Sequence, residues 1–223
     1  MALVPLRPSK APNLLIAPVD YSQQYIDQLN NALRLYFNEI DNGMAALLSG
    51  TGGSNLSLPF IAASDSTDQI TADADTPTVV KWDTLEGGNG FTLNSPGSAT
   101  ALASGVYKIT YSLQFVNTDN AIHNAAVWLK VNNTDVPRST TVFTLQARKS
   151  AGVFNFVCAY SEVVFSLNAG DELELYWAAD AAYRASPARD GIYIEAIAAQ
   201  TVPYVRPAVP SAIGSITFVS RLP

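Results

Sequence analysis

Cysteine and histidine are almost missing from this sequence, and that excludes most site chemistry at once. Cys158 is the single cysteine, so no disulfide can form within the chain. It alternates with apolar neighbours in FNFVCAYS and is expected to be a small buried hydrophobe. His123 is the single histidine, so metal sites built from two or three imidazoles are excluded. A Ser-His-acid triad would have to use His123, and no Gly-x-Ser-x-Gly nucleophile motif accompanies it. Charge is scarce too: Asp, Glu, Lys and Arg make up 14% of 223 residues, against a usual share of about 25%. The net charge is −6 and no basic run exceeds Arg148-Lys149, so a phosphate-binding patch for nucleic acid is lacking. No apolar run approaches the length of a membrane span. Pro5, Pro8, Pro12 and Pro18 break the N-terminal apolar stretch, so no signal-peptide helix is expected and synthesis in a cytoplasm is.

What is present is apolar and patterned. Hydrophobic residues reach 48% on a background rich in Asn, Ser, Thr and Ala. Such a surface suits a protein that buries much of itself in an assembly. Residues 1–18 read as an extended, proline-punctuated arm whose Leu14, Leu15 and Ile16 would be wasted in water, and are expected to dock on another subunit. Residues 19–48 carry the one helical pattern. Ile26, Leu29, Leu33, Tyr36, Ile40 and Leu47 recur at spacings of 3, 4, 3, 4 and 7, a seam suited to packing against copies of the same helix. Gly43 breaks the seam, and Tyr25, Leu35 and Phe37 widen the apolar surface beyond it. Asp20 is the expected N-cap, with Gln23 three residues on. Residues 49–57, rich in glycine and serine, read as a linker.

From residue 58 the apolar period changes to two. Strands are expected at 58–63, 77–83 and 91–94, then in VYKITYSLQFV, AAVWLKV, STTVFTLQ, VFNFVCAYSEVVFSL, ELELYWAA and GIYIEAIAA. The GGNG run at 87–90 lacks the helix that a phosphate-binding loop needs and reads as a hairpin turn. A proline-rich crossing leads to a last strand, SITFVS, expected to lie beside the start of the domain. With no second helix, the expected fold is mainly β: a jelly-roll β-sandwich over 58–223, preceded by the arm and one long α-helix. In Tyr107, Ile109, Tyr111, Leu113 and Phe115 one face is apolar, and Lys108, Thr110, Ser112 and Gln114 form the other. The strands carry a heavy aromatic load, which suits a sandwich core plus a threefold contact, or a sugar-binding face. Tyr107, Tyr111 and Tyr160 are candidates for a trimer axis. Asp65, Asp68, Asp73 and Asp75 match no calcium-loop spacing and read as solvated loop acids.

The run GVYKITYSLQFVNTDNAIHNAAVWLKVNNTDVPRSTT, then LNAGDELELYWAAD, then PAVPSAIGSITFV resembles a β domain common in tailed-bacteriophage structural proteins. That domain is similar to the tumour-necrosis-factor and complement-type globular heads, jelly rolls that form tight threefold trimers. The match covers roughly residues 60–220. The stretch PSKAPNLLIAPVDYSQQYIDQLNNALRLYFNEIDN is similar to a leader found ahead of such domains in short-tailed phages of aquatic bacteria. The resemblance implies a virion component and transfers no catalytic, cofactor or metal residues. The expected function is therefore non-enzymatic: a homotrimeric capsid decoration, cement or head-fibre protein. Its arm and helix would seat on the major capsid protein or another virion protein. The alternative is a short tail fibre whose loops, such as 84–90 and 181–190, contact a host surface glycan. A depolymerase reading lacks the clustered carboxylate pair that glycoside cleavage needs.

Overall fold

The computed structural model describes residues 11–14, 16, 19–48, 58–94 and 97–222. The expected linker at 49–57 lies outside the described residues, as does Leu15. The chain divides into two compact units, residues 1–57 and 58–223.

In the first unit the helix α1 runs over Gln23–Leu48. Ser22, rather than Asp20, is its N-cap. The Tyr25 amide donates to Ser22 Oγ at 3.3 Å, and the Ile26 amide to the Ser22 carbonyl at 3.2 Å. A hydroxyl three residues ahead of the orphan amide has the reach that Asp20 lacks. None of the helix residues is buried.

The second unit is a two-sheet sandwich. Its strands are β1 (Phe60–Asp65), β2 (Thr78–Val79), β3 (Thr84–Asn89), β4 (Phe91–Asn94), β5 (Ser98–Ala101), β6 (Gly105–Asn117) and β7 (His123–Val131). They continue with β8 (Thr134–Asp135), β9 (Thr141–Leu145), β10 (Asn155–Leu167), β11 (Glu172–Ala179), β12 (Ile192–Ile194) and β13 (Ala212–Ser220). One sheet runs β10-β6-β13-β1-β3, with β12 also on β6. The other runs β4-β5-β11-β7-β8, with β2 on β11 and β9 on β7. Every strand pairing is antiparallel, and the chain changes sheet repeatedly, among others from β3 to β4, β5 to β6, β6 to β7, β9 to β10, β10 to β11 and β11 to β12. This is the jelly-roll sandwich expected from the period-two pattern.

The alternation in β6 decides the core. Tyr107, Ile109, Tyr111, Leu113 and Phe115 all point inward, meeting Val127 and Leu129 of β7 and Leu173, Leu175 and Trp177 of β11. Phe115 and Trp177 have ring centroids 5.5 Å apart, while Tyr107 meets Phe91 and Phe218 edge-on at 5.2 and 5.7 Å. The Tyr107 hydroxyl donates to the Ala103 carbonyl at 2.7 Å, which removes the cost of burying it. The β7–β8 turn is a two-residue loop in which Asn132 and Asn133 both have positive φ, 49° and 61°. That geometry matches the right-handed twist of the paired strands and is one asparagine tolerates.

Within the β unit the readings of the glycine run and of Asp65 change. The 87–90 glycine run is not the hairpin turn. Gly87 and Gly88 lie in β3, paired to β1 across a register shift at Ala62 and Ala63, and only Gly90 (φ 73°) makes the turn. Strand glycines commonly mark such irregular pairing. Of the four acids, only Asp65 departs from a solvated loop acid; Asp68, Asp73 and Asp75 are exposed. Asp65 is 1% exposed, Asp68 accepts the Ala196 amide at 2.9 Å, and Asp73 pairs with Arg189 at 2.9 Å.

Candidate functional site

The outer face of the β10-β6-β13-β1 sheet is the surface on which exposed apolar side chains gather by strand register. Directly opposed residues share a face, so the rows read across the sheet. Tyr160 lies opposite Ser112, which lies opposite Ile213. Glu162 lies opposite Thr110 and then Ser215. Val164 lies opposite Lys108, Thr217 and Phe60. On β10, Phe156, Tyr160 and Val164 are 50%, 58% and 57% exposed. Ile213 and Phe60 continue the apolar character two and three strands away.

Strand β10 is also an edge: among the described residues its backbone ladder is with β6 alone, and it is 13 residues long. A long edge carrying large apolar side chains is the arrangement that isolated domains avoid. The polar elements of the face are few. Lys108 Nζ lies 3.5 Å from Glu162 Oε2 at the middle of it. Cys158 is exposed there, with Ser112 Oγ at 3.2 Å and Gln114 Nε2 at 3.6 Å, so it is not the buried hydrophobe that its apolar neighbours suggested. Alternation placed it correctly out of phase with its neighbours, but the phase of β10 sends even-numbered residues outward.

The same phase separates the three candidate tyrosines. Tyr160 is on the outer face. Tyr107 and Tyr111 are 0% and 1% exposed, held between the sheets, and present no surface to a second copy. As trimer-axis residues these two are therefore wrong, because β6 turns its odd-numbered residues inward. Burial pushes the phenols of both above their ordinary value.

In the first unit, the seam residues Ile26, Leu29, Leu33, Tyr36, Ile40 and Leu47 lie along α1 with none of them buried. Tyr36 and Phe37 rings are 5.8 Å apart. Of the arm, Ile16 is 96% exposed and Leu14 is exposed as well.

The remaining polar groups are held in structural bonds. His123 opens β7, with Nδ1 2.9 Å from Asp180 Oδ1 and Nε2 2.8 Å from Asp119 Oδ2. The bond to His123 holds the Asp119 carboxyl below its ordinary value. Asp171 is held low by the Asn168 backbone amide and then the Asn132 side chain. Burial, and then the Glu172 charge, raise Glu174. Burial raises Glu195 against the pull of the Tyr193 hydroxyl, which donates to Glu195 Oε1 at 3.0 Å. The 181–190 loop is pinned: Arg184 and Arg189 both reach Asp73, at 3.6 and 2.9 Å, and their backbones bond to each other. The 84–90 segment is mostly strand. Among the described residues, no three His, Cys, Asp or Glu side chains gather as a metal site.

Neither a family model nor a curated protein matches the chain. Solved structures are similar in fold, among them the two that follow. One is the structure of Eiger TNF from S. frugiperda, with 19% identity and a TM-score of 0.43, covering 74% of this chain and 96% of that one. The other is the globular domain of zebrafish complement 1qA protein, with 13% identity and a TM-score of 0.41, covering 74% of this chain and 99% of that one.

Proposed function

We propose that this chain is a non-enzymatic structural protein of a tailed-bacteriophage virion, a homotrimer that decorates or cements the capsid or stands on it as a head fibre. The observation that carries self-association is the outer face of β10, where Phe156, Tyr160 and Val164 stand half-exposed along an edge strand. Covering the exposed half of each such side chain contributes about 1 kcal/mol, and three copies repeat the gain. With Ile213 and Phe60 added, apolar side chains stand on three strands of the face around the Lys108–Glu162 pair. The helix seam supplies a second self-complementary surface, since α1 has no buried residue of its own.

The virion assignment rests on the phage-like sequence pattern of the arm and the β domain. In this reading the arm and α1 grip the major capsid protein or another virion protein, and the product is made in the host bacterial cytoplasm. An obligate contact of roughly 2,000 Å² or more would hold such a trimer. Deleting residues 1–18 tests the docking half of the reading. The truncated protein is expected to remain a trimer and to lose binding to expanded capsids; retained binding would contradict it. Particle imaging tests the location. A copy number matching the capsid lattice supports decoration, while one matching the tail supports the short tail-fibre alternative.

A further inference from the structure

An open cleft of about 500 Å³ lies at one side of the sandwich, lined by Asp65, Thr67, Lys81, Trp82, Asp83, Leu93 and Asn94. Its size falls in the range of small-molecule sites, roughly 300–1,000 Å³. We propose that this cleft binds a neutral pyranose ring. The site is separate from the outer face of β10 and does not depend on the oligomeric state proposed above.

The walls are fixed from beneath. Gln69, 1% exposed, accepts the Lys81 amide at 2.8 Å on Oε1 and donates Nε2 to the Lys81 carbonyl at 3.2 Å and to Ser211 Oγ at 3.3 Å. The Asp83 amide donates to the Ser64 carbonyl at 3.1 Å. A buried amide thus clamps the backbone that presents Lys81 and Asp83. Trp82 is folded under it, its ring so close to Gly214 that an added Cβ there would sit 2.7 Å from it. The floor is rigid and apolar, made by Trp82 and Leu93.

Asp65 supplies the decisive detail. It is almost wholly buried, yet lines the cleft. Its Oδ1 accepts from the Thr67 amide at 2.7 Å, the Thr67 hydroxyl at 2.6 Å and the Ser211 hydroxyl at 3.5 Å. Its Oδ2 has no protein donor among the described residues. That oxygen is not sealed in the core but opens on the cleft, where a ligand or water can supply the donor. Lys81 forms no ion pair among the described residues and offers an ammonium donor at the rim. Asn94 spends Nδ2 on Thr100 and Ser98, at 2.8 and 3.4 Å, leaving its carbonyl oxygen as an acceptor.

The cleft therefore offers acceptors on Asp65, Asp83 and Asn94, a donor on Lys81, and an apolar floor. A ring with several hydroxyls, each both donor and acceptor, and one C–H face matches all of these. A dianion would be repelled by the two carboxylates.

The test is calorimetric titration of the full chain with methyl pyranosides and the matching reducing sugars: glucose, galactose, mannose and N-acetylglucosamine. At least one pyranose is expected to bind. Binding of the methyl glycoside marks the ring as the end of a glycan; binding of the reducing sugar alone marks a free monosaccharide. Lys81→Ala and Asp83→Ala, both at exposed positions, are each expected to weaken binding about tenfold or more. Asp65→Asn is expected to do the same, with Lys149→Ala as the unchanged control. The thermal midpoints of the Lys81 and Asp83 variants, equal to that of the parent, would show that they fold. No heat with any sugar at about 10 mM, ten times a Kd of about 1 mM, overturns the proposal. So does undiminished affinity in the Lys81 and Asp83 variants.

Discussion

Strands β6 and β10 have the same length and pair along all 13 residues, yet they face different worlds. Both alternate, and on both the inward set packs into the core. Their outward sets differ. On β6 these are Lys108, Thr110, Ser112 and Gln114; on β10 they include Phe156, Tyr160 and Val164. The central strand has neighbours on both sides and a polar outer surface. The edge strand has one neighbour and an apolar outer surface. A monomer would place its charges on the edge, where they guard against pairing. The reversal is the feature on which the proposed self-association at the outer face of β10 rests.

Substitutions on the two strands should therefore separate stability from assembly. The largest effect is expected from Phe115→Ala on β6, which empties a site against Trp177 and should cost about 3–5 kcal/mol, read as a large fall in thermal midpoint. Tyr160→Asp on β10 should leave the fold intact and reduce the trimer to monomers in light scattering; a stable trimer would move the interface elsewhere. In the first unit, Leu33→Asp with Ile40→Asp should weaken self-association without altering the β unit's melting. Unchanged assembly would show that the seam is not an interface. Tyr107→Phe, back on β6, removes only the bond to Ala103 and should cost about 1 kcal/mol.

The smallest effect concerns acid. Asp171 has its folded value held below the ordinary one of about 3.9, so the stability it contributes is present above that pH and is lost as pH falls through the folded value. Asp171→Asn should flatten the acid limb of a stability-against-pH curve below about pH 4. An identical limb in the variant would show that the Asn168 and Asn132 bonds do not discriminate between its charge states.

The strong periodicities were legible in the sequence. The nine-residue alternation from Tyr107 to Phe115 and the helical spacing from Ile26 to Leu47 each announce a geometry that local sterics enforce. Strand β5, SATA, was not: four small residues carry no alternation, and it exists because β11 and β4 pair with it. The phase of an alternating strand was also hidden. Nothing local says that odd residues point inward on β6 while Tyr160 points outward on β10; the register between sheets decides it. The cleft was out of reach for a related reason. Asp65, Lys81, Trp82 and Leu93 come from separate segments, and Asp65 looks like one more loop acid until Thr67 and Ser211 are seen to bury it.

The central claim is that the apolar outer face of β10 is covered by further copies of the chain. The mass of the full-length protein in solution, measured by light scattering during gel filtration, tests it most directly. A single peak at three times the 23.8 kDa chain mass is the predicted result. A peak at 23.8 kDa, with α1 and the β unit both folded by circular dichroism, would contradict it.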